Sequence, residues 1–177
     1  SSAASDVYKR QIYYMEKNLN RGFGDQSLFE IGPVFQSKKP GDQFTVICGI
    51  KKQQRDEDGS RKSYLDVFDI KRDLIQTLVE LGINKDEMSI LDKSPSYYHP
   101  GISGSFHSKD SKFLFGHFGQ LHPKLTNHTY GFEIFLENLV NFKIKNKIPS
   151  ISIDLKQLSH DKLILNDVKS SLSLIHI

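Results

Sequence analysis

Cysteine is nearly absent from this chain: Cys48 is the only one in 177 residues. A lone thiol cannot close an internal disulfide. The run around it, "FTVICGI" at 44–50, reads as a buried strand rather than a reactive site, so a reducing, cytoplasmic setting is expected. No apolar run approaches the roughly 18 residues that cross a bilayer. A positively charged start leading into an apolar core, the mark of a secretory leader, is missing too. Charge of one sign is also scarce: 24 Lys and Arg stand against 21 Asp and Glu, a surplus of +3. That surplus is too mild to indicate nucleic-acid binding without a concentrated patch. Lys51, Lys52, Arg55, Arg61 and Lys62 do bracket one loop, but Asp56, Glu57 and Asp58 cancel much of their field, which describes a solvated hairpin tip.

Catalytic signatures are missing as well. There is no G-x-S-x-G elbow; "GISGSF" reads as a turn entering a strand. There is no phosphate-cradling glycine loop, since the glycines of "RGFGDQ" precede a strand rather than a helix. Four histidines, His99, His107, His117 and His122, fall in the second half, yet no HxH or HExxH spacing relates them. A zinc site needs three or four ligands converging on one centre. His99 and His122 each precede a proline, where a turn is the simpler account.

What is present suffices for a folded domain: 37% hydrophobic residues, with 12 Phe and 7 Tyr. The stretch "SLFEIGPVF" alternates with period two, placing Leu28, Glu30, Gly32 and Val34 on one side and Phe29, Ile31 and Phe35 on the other. Pro33 removes a ladder donor, which suits an edge strand. Across the Pro-Gly turn signal of "QSKKPGD", "QFTVICGI" completes an antiparallel hairpin. The spacing of Val67, Ile70, Leu74, Leu78 and Leu81 predicts a helix over 66–81, capped by Asp66 and ended by Gly82. A short strand "MSIL", a turn "SPSYYHPG" and strands "ISGSFHS" and "KFLFGHFGQL" follow; "HPKL" is read as a short helix and "YGFEIFLENLV" as a further apolar run. The expected class is α+β, an antiparallel sheet flanked by helices. Residues 1–11 and 171–177 resemble translated adapter sequence and are set aside; 12–142 form the core domain, and 143–170 a linker or the truncated start of another.

Five blocks, "SLFEIGPVF", "YLDVFDIKRDL", "YYHPGISGSF", "FGHFGQLHPKL" and "YGFEIFLENL", occur in the order and spacing of the bacterial phenylalanine–tRNA ligase beta subunit. The chain resembles that family over about residues 13–142. The resemblance implies a class II aminoacyl-tRNA synthetase-like module that does no chemistry and pairs with an alpha subunit in an (αβ)2 heterotetramer. The whole enzyme would use ATP and magnesium to join phenylalanine to its tRNA; this part would bind neither cofactor.

Aligned on the resemblance, Glu30 stands at the glutamate of an R-x-E signature whose arginine position is Leu28. In the glycine-rich signature, Glu133 and Phe135 replace glycines and Asn138 replaces a second arginine. A leucine offers no charge to a phosphate. These five positions mark a degenerate ATP site, with no catalytic, cofactor-binding or metal-binding residue expected. Glu30 then becomes a structural carboxylate hydrogen-bonded within the sheet. Ile102 stands where the family often has arginine, and "PSISIDLKQLSHDKLILNDV" does not show the family's anticodon-binding entry strand. Phe113, Phe115 and Phe118 are candidate alpha-subunit contacts, with a core role as the default. Two other function classes are weighed: a metal-dependent hydrolase using His107, His117 and His122, and a stand-alone nucleic-acid-binding module.

Overall fold

A computed structural model describes residues 3–20, 26–35, 43–53, 58–59 and 64–147. The Pro-Gly turn at 36–42, the loop residues Arg55, Arg61 and Lys62, and the segment 148–177 lie outside the described residues. Among those described, six strands form one antiparallel sheet. In chain order they are β1 (Gln26–Phe35), β2 (Gln43–Lys52), β3 (Met88–Leu91), β4 (Tyr98–Ser108), β5 (Leu114–Leu121) and β6 (Thr129–Phe135). Their order across the sheet is β1-β2-β6-β5-β4-β3. The helices are α1 (Ala3–Asn20), α2 (Val67–Glu80) and α3 (Leu136–Lys145). The α+β antiparallel class is therefore observed, and β1, with Pro33 near its end, is an edge strand.

The predicted helix over 66–81 forms for the anticipated reasons. The Asp66 carboxylate accepts the backbone N–H groups of Phe68 and Asp69, and Asp69 returns the bond to the Asp66 N–H, a complete capping box. Gly82 ends the helix at φ 94°, where a Cβ would be strained. The apolar face of α2, Ile70, Leu74, Leu78 and Leu81, is buried against Phe29, Ile47, Phe106, Phe132 and Ile134 from one face of the sheet. α3 completes this layer with Leu136, Leu139 and Phe142. The alternation read in β1 holds: Phe29 and Ile31 enter this core, whereas Leu28 packs on the opposite face with Tyr8 and Ile12 of α1.

Three local readings change. "HPKL" is a turn: the Leu125 and Thr126 N–H groups bond the His122 carbonyl, and a segment so short gains too few bonds to offset helix nucleation. "YYHPG" is strand from Tyr98 onward, with an irregularity that sets five steps on β4, from Tyr98 to Ser103, against two on β5. Residues 3–11 of the segment set aside at the start form the first half of α1, and Tyr8 there is fully buried against the sheet. No described helix is long and apolar enough to cross a membrane.

Candidate functional site

The face of the sheet under α1 carries the buried polar chemistry. Strand register lines up one row across five strands: Glu30 opposite Cys48, Cys48 opposite Glu133, Glu133 opposite His117, and His117 opposite Ser105. Because alternate residues share a face, these side chains lie in one line across the sheet. Glu133, at its centre, is fully buried. Its Oε1 accepts the Tyr97 hydroxyl and lies 2.6 Å from His117 Nδ1. An ionised carboxylate only accepts, so Nδ1 is the protonated ring nitrogen in that contact. Glu133 Oε2 is buried and has no hydrogen-bond partner among the described residues.

Aromatic rings close over this line. Tyr8, Tyr97 and Tyr98 pack with centroids 4.9–5.8 Å apart, and the Tyr8 and Tyr98 hydroxyls bond each other. Burial, reinforced by the nearby Glu133 charge, raises the pKa of all three phenols and of the Cys48 thiol, keeping them protonated. Cys48 is thus the buried, inert strand thiol expected from its run. Gly131 has a steric reason to be glycine: a Cβ there would come within 2.9 Å of the Tyr8 ring. The open patch of sheet at Gly131 is filled by the chain's own tyrosine.

Each of the five positions marked in the sequence makes its own local contacts. Leu28 lies in the apolar cluster with Tyr8 and Ile50. Glu30 pairs with Arg10 of α1 rather than with a sheet neighbour, which corrects the expected in-sheet bond. That partner lies in the segment excluded from the sequence reading. Glu133 is the buried acceptor just described, and Phe135 packs edge-on to His117 with centroids 5.3 Å apart. Asn138 donates through Nδ2 to the Leu114 carbonyl at 2.9 Å, tying α3 to the start of β5.

The histidines are likewise dispersed into local roles. His107 Nε2 lies 2.8 Å from Ser105 Oγ, and burial, aided by His117 and Lys93, lowers its pKa. His99 and His122 accept the N–H groups of Gly101 and Lys124, each 3.1 Å away; His122 opens a turn as anticipated, whereas His99 lies within β4. Among the described residues no group of three or more His, Cys, Asp and Glu could hold a metal ion. Of the candidate partner-facing phenylalanines, Phe115 and Phe118 are core, and Phe113 is half-buried against Phe142. Of the bracketing lysines, Lys51 pairs with Asp73 of α2 and Lys52 bonds Thr126 at 3.1 Å. The Tyr97–Glu133–His117 cluster escaped the sequence reading; its signal was a carboxylate inside the apolar strand "GFEIF".

Fold and face together define an α+β domain whose central sheet surface is filled from within and carries a buried carboxylate. Its family is equally definite. The family model described as "Phenylalanyl tRNA synthetase beta chain CLM domain" matches residues 7–135. The chain belongs to that family. It is 35% identical over 139 residues to the phenylalanine–tRNA ligase beta subunit of Paramagnetospirillum magneticum, covering 73% of this chain and 17% of that protein. The same subunit of Rickettsia prowazekii is 32% identical over 148 residues, covering 78% and 18%. That of Wolbachia from Brugia malayi is 33% identical over 138 residues, covering 73% and 17%. The chain spans less than a fifth of the length of these relatives. The match begins within the opening segment set aside in the sequence, at a helix that buries Tyr8 and Ile12.

Proposed function

We propose that this chain is a non-catalytic, assembly-supporting part of a phenylalanine–tRNA ligase beta subunit with a class II synthetase-like core. The whole enzyme would be cytoplasmic, pair this subunit with an alpha subunit in an (αβ)2 heterotetramer, and attach phenylalanine to tRNA with ATP and magnesium. The observation that carries the reading is the filled face. A nucleotide there would meet the Tyr8 ring over Gly131 and the Glu133 carboxylate, whose charge repels a triphosphate. The residues present on this face therefore do not fit ATP–magnesium, and no chemical step is assigned to it. Leu28, Phe135 and Asn138, which hold core, ring and backbone contacts, give such a ligand no cationic partner. Leu28, Glu30, Glu133, Phe135 and Asn138 are accordingly assigned structural roles.

Co-expression with a matching alpha subunit tests the reading. A stable complex that survives gel filtration is expected. An alpha subunit that elutes free of this chain would contradict the assembly role.

A further inference from the structure

Opposite the filled face, the far edge of the molecule carries an apolar trough that the proposed function does not use. β3 is the last strand of the sheet, and among the described residues no strand pairs with its outer edge. Two adjoining cavities, about 600 and 440 Å³, run between β3 and α2, and both are lined by Phe68, Lys71 and Ile90. Phe68 is 63% exposed, Ile90 48% and Leu91 37%. Three large apolar side chains beside an open strand edge are unusual for a free surface, because such an edge invites pairing with another chain.

The charge around the trough states what would fit. The smaller cavity is rimmed by Lys71, Arg72 and Lys85 with no carboxylate in its lining. Lys71 and Lys85 have no ion pair among the described residues, and Arg72 reaches Asp69 at only 3.4 Å. The larger cavity is lined by Asp66 and Asp92 beside Lys71, and Asp66 is already engaged as the helix cap. The trough is thus cationic at one end and apolar along its floor.

We infer that this trough docks an acidic, apolar-anchored segment of a partner polypeptide, laid along the β3 edge with its carboxylates over Lys71, Arg72 and Lys85. Main-chain bonds to β3 would supply register, apolar side chains against Phe68 and Ile90 would anchor it, and the lysines would select its charge. The inference goes beyond the proposed ligase role and does not depend on it.

The test uses the whole chain and two synthetic peptides of about twelve residues, one alternating leucine with glutamate and one alternating leucine with lysine. Fluorescence anisotropy should show the glutamate peptide binding about tenfold more tightly. Amide NMR shifts should concentrate on β3 and the first half of α2. The Lys71→Glu/Lys85→Glu double variant, changed only at surface cations, should reverse the preference, and Phe68→Ser should weaken both peptides. Equal affinities for the two peptides in the unaltered chain would overturn the proposal, as would shifts centred elsewhere. Self-association of the chain through this face, detected by sedimentation and crosslinking at Lys71 or Lys85, would overturn it in favour of a second copy as occupant.

Discussion

The two faces of the sheet are built on different principles. Under α2 and α3 the dry core joins Phe29, Ile47, Leu74, Phe115 and Ile134 through aliphatic and aromatic surface, with Lys51 and Asp73 forming an ion pair between sheet and helix. Under α1 the layer is aromatic but polar at its centre, where Glu133 is held by Tyr97 and His117. The dry face is stabilised by area removed from water, a non-directional gain that tolerates substitution by similar volumes. The polar face depends on each donor having its acceptor, so its cost of error is concentrated at single atoms. One face is held by apolar area; the other is filled by aromatic rings around a buried carboxylate.

That contrast can be broken at its strongest point first. Leu74→Ala opens a cavity in the dry layer, and chemical unfolding should show a loss of about 2–5 kcal/mol. Glu133→Leu removes no volume of consequence but strands the Tyr97 hydroxyl and the His117 N–H. A loss of about 1–3 kcal/mol per orphaned donor is expected, and Glu133→Gln, which keeps an acceptor, should lose less. If Glu133→Leu were neutral, the polar centre would be dispensable and the contrast would collapse.

The smallest effect is a pH dependence on the same face. The pKa of His107 is lowered in the folded chain, chiefly by burial, so the unfolded chain binds its proton more readily. Stability should therefore rise with pH through the interval between the lowered value and the ordinary one near ~6.5, and fall as the solution is acidified below it. Urea titrations between these limits should show a shallower slope for His107→Gln.

The dry face was largely legible in the sequence and the polar face was not. Periodicity exposes α2 because Ile70, Leu74 and Leu78 recur at helical spacing, and Asp66 and Gly82 mark its ends locally. The hairpin of β1 and β2 follows from two β-rich runs on either side of a Pro-Gly turn signal. By contrast, the Glu133 cluster joins Tyr97, His117 and Glu133, residues up to 36 positions apart whose meeting depends on strand register. Tyr8 and Arg10 are illegible for another reason: their segment resembles adapter sequence, yet they pack on Gly131 and Glu30. Glu30 shows the consequence, since its partner comes from a helix that strand patterning cannot reveal. The "HPKL" helix failed because four residues hold too little periodicity to separate a turn from a first helical turn.

The central claim is that the face bearing Glu133 is filled from within and activates no amino acid. Phenylalanine-dependent ATP–pyrophosphate exchange by the purified chain measures it directly. No exchange above the protein-free background is expected at any magnesium concentration. Exchange that requires phenylalanine and disappears in Glu133→Leu would contradict it.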